Sequence, residues 1–226
     1  MTTIIYFIIA IIIAYMLGSI CSGFILGKIL RNIDLRDCGS RNIGATNTLR
    51  VLGIIPGIIS LAFDITKGYV AVEIGRIILN YNTNTKLEIY LVFIGIAVIL
   101  GHIFPIFLKF KGGKGVATAA GVFLNISIMP LFIALIIFII VVAITRYVSL
   151  GSLSSAIALL ITQFFYTLKN IRELPYFILS AIVVTFIFVK HIPNIKRLRK
   201  GTESKIKFSK NIKSISKYSG KGDNVH

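Results

Sequence analysis

Four stretches of this 226-residue chain collect side chains suited to holding an anion: GSRNIGATNTLRVLG (39–53), KFKGGKG (109–115), TRYVSLGSLSS (145–155) and KHIPNIKRLRKGTE (190–203). The first supplies Ser40, Asn42, Thr46, Asn47 and Arg50, that is, hydroxyls, amides and a guanidinium whose planar fork suits a phosphate. Glycines at 39, 44 and 53 permit close approach of backbone to a ligand. Asn47 and Arg50, three apart, would share one side of a helical turn. A re-entrant loop whose polar groups only satisfy one another is the structural alternative. This loop has donors in excess of that need, and a cation.

In the second stretch, Gly112, Gly113 and Gly115 flank Lys114, with Lys109 just before them. Consecutive glycines can aim several N–H groups into one concavity, and VATAAGVF beyond them would start a helix whose positive end adds to the field. Lys114 adds a point charge. The stretch is not a nucleotide-binding P-loop, because Gly115 follows the lysine and Leu108 stands where the first glycine belongs. A mere topology signal explains the lysines but not the glycines. His191 precedes Asn194 by three residues in the same layer as the other polar stretches, which favours a site role, with Arg197 close by. His102 reads rather as a hydrogen-bonded packing residue. Asp64 and Lys67, at i and i+3 inside an apolar run, either neutralise each other or serve a site. Glu203, an isolated acid in a basic segment, is expected to anchor Arg or Lys side chains. Cys21 and Cys38 form no CxxC and have no histidine at metal spacing, so neither a disulfide nor a metal is expected.

The elements that must position these residues are membrane helices. The chain is 56% hydrophobic with mean hydropathy +0.88, and its apolar runs recur from Ile4 to Val189, more than a soluble core of this size requires. The expected fold is an all-α polytopic membrane protein of seven transmembrane helices with re-entrant or amphipathic loops on the cytoplasmic side. Spans are expected near 4–27, 54–75, 87–108, 116–124, 131–145, 148–168 and 174–190, the fourth being short. Residues 1–192 would form the membrane domain and 193–226 a basic tail. The first run lacks a positive n-region and a cleavage site, so it reads as a retained span. With the N-terminus outside, the inner loops hold Lys28, Arg31, Arg36, Arg41, Arg50, Lys109, Lys111, Lys114 and Arg146, and the outer loops only Arg76, Lys86, Lys169 and Arg172. That asymmetry obeys the positive-inside rule and puts all four polar stretches and the C-terminus in the cytoplasm. Formal charge is +17, and residues 196–226 carry ten of the 25 Lys and Arg. A basic juxtamembrane tail suits anionic lipid; without interleaved aromatics it does not suit nucleic acid.

Taken in order, the motifs GSRNIGATNTLRVLG, FDITKG, GHIFPIFLKFKGGKGVAT, RYVSLGSL and HIPNIKRLRKGTE resemble the bacterial membrane glycerol-3-phosphate acyltransferases that use acyl phosphate as donor. The likeness runs to about Lys207. It implies a seven-span enzyme of the bacterial inner membrane that forms lysophosphatidate in phospholipid synthesis, without metal or CoA; no cofactor is expected, and a monomer is the expected functional state. It further implies that Ser40 and Arg50 are essential, that the glycine loop with Lys114 binds the glycerol phosphate, and that Ser149 or Ser152 contacts substrate. His191 and Asn194 would belong to the third motif, with Glu203 structural. Arg41, where the family usually has glycine, and Pro193, where a polar residue is common, depart from the pattern.

The chemistry fits the residues. Acyl phosphate is a mixed anhydride, already activated, so a strong nucleophile is unnecessary. Positioning two phosphate-bearing molecules, which can supply ~7–11 kcal/mol of a barrier, is what remains. Arg50, Lys114, Lys109, Arg197 and Arg41 are the available cations. His191 is expected to orient or polarise rather than abstract a proton. Neither His102 nor His191 begins the His-x4-Asp pair of CoA-dependent enzymes. The alternative is a transporter of a phosphate-bearing solute, which would place its polar site near the midplane between internal repeats.

Overall fold

The structure, a computed structural model, describes residues 2–80 and 87–206. Within them every regular element is helical, as expected where no water is available to satisfy a backbone edge. The helices are α1 (Thr2–Ser19), α2 (Ser22–Arg31), α3 (Ala45–Leu52), α4 (Ile54–Asn80), α5 (Leu87–Ile103), α6 (Val116–Ile126), α7 (Ile128–Thr145), α8 (Val148–Lys169) and α9 (Leu174–Arg199). Single 3₁₀ turns lie at Ile106–Leu108 and Ile171–Glu173.

Several boundaries differ from the sequence reading, each for a local reason. The first span is broken rather than continuous: Cys21 is extended (φ −102°, ψ 97°), and the Ser19 hydroxyl donates back to Tyr15 O at 2.9 Å, competing with the helix ladder. α5 stops at Ile103, because the residue before Pro105 is pushed out of the helical region. α9 runs through Pro193 to Arg199, so the boundary drawn at 192/193 falls inside a helix. The described part of the tail, up to Ile206, folds back on the helices: Ile206 N–H donates to Arg146 O at 2.8 Å, and Lys205 lies over the Tyr147 ring at 5.3 Å. Residues 207–226, where most of the lipid-binding expectation falls, lie outside the described residues.

Seven spans were expected, whereas six helices among the described residues are long and apolar enough to cross, α1 and α2 counting together. The remaining one is α6. Its eleven residues rise about 16 Å, against a hydrocarbon core of ~30 Å. All four polar stretches nonetheless help wall a single cavity. The chain between them must therefore leave that level and return to it, as α4 with α5, α6 with α7, and α8 with α9. α6 makes its half-length descent, turns at Ser127 (φ −156°, ψ 76°), and α7 makes the full return.

Apolar side chains do not drive helix association in lipid, so close backbone approach must. Gly18 of α1 meets Val98 of α5 while Gly101 meets Tyr15, and Gly68 of α4 meets Thr118 of α6 while Gly121 meets Ile65; a Cβ at any of the four glycines would strike a carbonyl oxygen. Large side chains such as Phe132, Ile136, Ile139 and Ile144 of α7 face outward, where lipid would cover them.

Candidate active site

The cavity, of about 500 Å³, has two chemically distinct ends. Ser40, Asn42, Thr46, Arg50, Lys114, His191, Asn194 and Glu203 line the polar end; Phe123, Leu131, Ala134, Phe138, Val142, Ala156 and Leu159 line the apolar one.

The polar end is organised by Glu203, the acid expected only to anchor cations. Its Oε1 accepts from Asn194 Nδ2 (2.7 Å) and Ser149 Oγ (2.9 Å), and its Oε2 from Arg197 Nε (2.6 Å). Asn194 turns its other face to Lys114, whose Nζ donates to Oδ1 at 2.6 Å. Burial tends to raise the Glu203 pKa, but the bonds from Asn194, Arg197 and Ser149 outweigh it and hold the carboxyl below its ordinary value. Burial pushes the Lys114 ammonium down from 10.5 to about 8; Glu203 opposes the fall, while Arg197 and Arg50 add to it. Burial also lowers Arg50, with Glu203 again opposing and Arg197 adding. Arg50 donates one NH2 bond to Ser204 O at 2.9 Å, and its buried Nε has no hydrogen-bond partner among the described residues. A buried donor without a partner costs about 1–3 kcal/mol.

His191 Nδ1 lies 2.8 Å from Ile187 O. A carbonyl only accepts, so Nδ1 carries the proton and the neutral ring keeps its lone pair on Nε2. That orientation leaves the ring able to accept a proton or a hydrogen bond.

Other expected residues take different parts. Asn47 is buried at 1% exposure, and its amide is taken up by the loop itself: Nδ2 approaches Leu35 O (3.1 Å), Cys38 O (3.0 Å) and Asn42 O (2.7 Å), and Oδ1 accepts from Ser40 N–H (2.8 Å). It shapes the loop that presents Ser40 and Arg50. Asn42 Oδ1 accepts from Gly44 N–H at 2.8 Å. Ser152 bonds back to Val148 O at 2.9 Å within α8. Lys109 is exposed, and neither it nor Arg197 reaches the cavity wall.

The anion nest expected at Gly112 and Gly113 does not form. Their N–H groups donate to Ile103 O (3.2 Å) and His102 O (3.0 Å), closing the end of α5. Gly115, with φ 82°, lines the cavity and opens α6. Sequence reasoning did not assign Asp64 and His102 to the cavity wall, which they join, or single out the apolar lining; inside spans, wall residues look like any other.

The model of the glycerol-3-phosphate acyltransferase family matches residues 8–201. This chain belongs to that family. A glycerol-3-phosphate acyltransferase of Prochlorococcus marinus (strain MIT 9312) is 46% identical over 88% of this chain and 97% of that protein. Another, of Thermoanaerobacter sp. (strain X514), is 43% identical over 89% and 96%. Among solved structures, PlsY (YgiH), described as an integral membrane glycerol 3-phosphate acyltransferase, matches in its glycerol 3-phosphate form with TM-score 0.80, 33% identity, and coverage of 89% and 96%. Its lysophosphatidic acid form matches with TM-score 0.77 and 32% identity.

Glu203→Gln should lower stability in detergent by about 1–3 kcal/mol at neutral pH, because the charge-assisted bond to Arg197 is lost. Since the folded-state pKa of Glu203 is depressed, its contribution is complete above the unfolded value and is lost as pH falls through the folded one. Thermal unfolding of native and variant protein across that acidic range should therefore converge.

Proposed function

We propose that the protein transfers an acyl group from acyl phosphate to the 1-hydroxyl of glycerol 3-phosphate, giving lysophosphatidate and inorganic phosphate. The observation that carries this reading is that Arg50 and Lys114 wall the same cavity as the apolar side chains Leu131, Ala134, Phe138 and Val142. Family membership supports the acceptor and the product.

In the proposed reaction, Arg50 and Lys114 hold the phosphates, and the glycerol hydroxyl stands against the acyl carbonyl. Its oxygen forms the ester bond to the carbonyl carbon as the bond from that carbon to the phosphate oxygen breaks. The hydroxyl proton passes to a phosphate oxygen, whose second pKa lies near neutrality. His191 Nε2 accepts a hydrogen bond from the neighbouring, non-reacting 2-hydroxyl and so fixes the direction of the glycerol. Ser40 bonds a phosphate oxygen, and Asn194 holds Lys114 in place. Positioning of this kind, rather than covalent catalysis, provides the rate.

The acyl chain lies in the groove formed by α6, α7, α8 and α9. Along α7, Leu131, Ala134, Phe138 and Val142 repeat at helical spacing on one wall, a stripe rising about 16 Å. The protein resides in the bacterial cell membrane with its N-terminus outside and its C-terminus in the cytoplasm. It works as a monomer, and its basic tail lies on anionic lipid.

Purified protein supplied with both substrates should release phosphate and lysophosphatidate in equal amounts; solute counterflow in liposomes without product would favour the transporter instead. Arg50→Lys and Lys114→Ala should each lower kcat/KM by about 100-fold or more. With Lys114 at about 8, affinity for glycerol 3-phosphate in the native protein should fall as pH rises through that value and the ammonium is lost. Lys114→Arg should move this limb beyond pH ~10, since guanidinium does not deprotonate there. Ala156→Phe should reduce kcat/KM for long acyl phosphates about tenfold more than for short ones.

A further inference from the structure

Beneath the glycine loop lies a second polar cluster that the acyl-transfer reading leaves unused. α4 presents Ser60, Asp64 and Lys67 on one face, and Asp64, Lys67 and His102 of α5 are only 2%, 5% and 3% exposed. Lys67 Nζ is 2.8 Å from Asp64 Oδ1, 2.8 Å from Ile20 O and 2.9 Å from His102 Nδ1. Ile20 O is available because the helix breaks between α1 and α2. Three ammonium protons thus meet three acceptors. Since an ammonium only donates, His102 Nδ1 must accept, and the neutral ring carries its proton on Nε2. Ser22 Oγ, 3.3 Å from Asp64 Oδ1 and 2.9 Å from Ser60 Oγ, adds α2 to the network. One acid and one ammonium leave it neutral, as burial demands.

His102 is also the surface on which the glycine loop folds. Gly113 N–H donates to its carbonyl at 3.0 Å. A Cβ at Gly112 would collide with that carbonyl, and one at Gly113 with the ring at Nε2. Lys114 follows at once, its Nζ reaching Asn194. The glycines are required here by contact with His102 rather than by an anion. A network serving only its own stability would not need its histidine ring pressed against the residue preceding Lys114.

We propose that Asp64, Lys67 and His102 are positioning residues for Lys114. Lys67 holds the His102 ring in one tautomer and one orientation, the ring sets the height of Gly113, and Gly113 sets the origin of the Lys114 side chain. This rests on the reading of Lys114 as a phosphate ligand.

The test is a double-mutant cycle read by calorimetric affinity for glycerol 3-phosphate in the full-length protein. His102→Leu, which offers Lys67 no acceptor, should weaken binding about tenfold in the native background and less than about twofold beside Lys114→Ala. His102→Asn, whose carbonyl oxygen replaces Nδ1 as acceptor, should lose less than about threefold. No loss in His102→Leu, the same factor in both backgrounds, or equal damage from Asn and Leu overturns the proposal. If His102→Leu does not fold, Gly113→Ala enters the same cycle, since its Cβ would meet the ring at Nε2 while Asp64, Lys67 and His102 are all retained; an unchanged factor beside Lys114→Ala overturns the proposal equally. Native protein that fails to bind, or Lys114→Ala that binds like the native, overturns it too and locates the fault in the reading of Lys114.

Discussion

Everything at the polar end depends on keeping mutually repelling cations together in a place where water is scarce. Burial lowers the pKa of Arg50 and takes that of Lys114 down to about 8, and the charge of Arg197 adds to both falls. Without a counter-charge, such a cluster of cations would come apart when no anion is bound. Glu203 supplies it. Its carboxylate ties Arg197, Asn194 and Ser149 together, and through Asn194 it holds Lys114. The acid does this from the 200–206 segment, whose backbone is fixed to Arg50 at Ser204 and to Arg146 at Ile206. The site therefore includes an anchor from the segment after α9, not only the membrane helices.

A carboxylate among the cations has a second consequence. It satisfies charge without occupying every donor: among the described residues Arg50 Nε has no partner, and Glu203 is engaged by Asn194, Ser149 and Arg197. Under the proposed reaction, incoming phosphate meets a field already partly neutralised, which limits how tightly it binds. Product phosphate must leave the same place, so moderate binding favours turnover.

The sequence made the polar layer legible because polar groups in an apolar chain stand out, and because charge asymmetry assigns loops to one side. All four stretches do meet, and Arg50, Lys114, His191 and Asn194 line one cavity. What a residue does within the layer was less legible. Asn47 looked like a ligand group, yet its amide is taken up by Leu35, Cys38, Asn42 and Ser40. Gly112 and Gly113 looked like an anion nest, yet their N–H groups close α5 and their missing side chains make room for His102. In both cases the residue type signals that backbone is near something; only coordinates tell whether that is ligand or protein. The apolar wall was not legible at all, since Phe138 facing a cavity and Phe132 facing lipid obey the same hydropathy.

The half-length α6 links these observations. α6 starts at the layer where Arg50 and His191 stand without crossing the whole bilayer. Eleven residues let α6 start at the cavity with Lys114 and Gly115 and then give way to α7, so that Phe123 can meet the apolar wall from the side. Its close approach to α4, through Gly68 and Gly121, fixes it against the same helix that carries Asp64 and Lys67. α4 thus sets the loop before Lys114 through His102 and the helix after it through direct packing, and the lysine is held from both directions. A point charge on a flexible stem becomes a placed charge only when its backbone is fixed in this way.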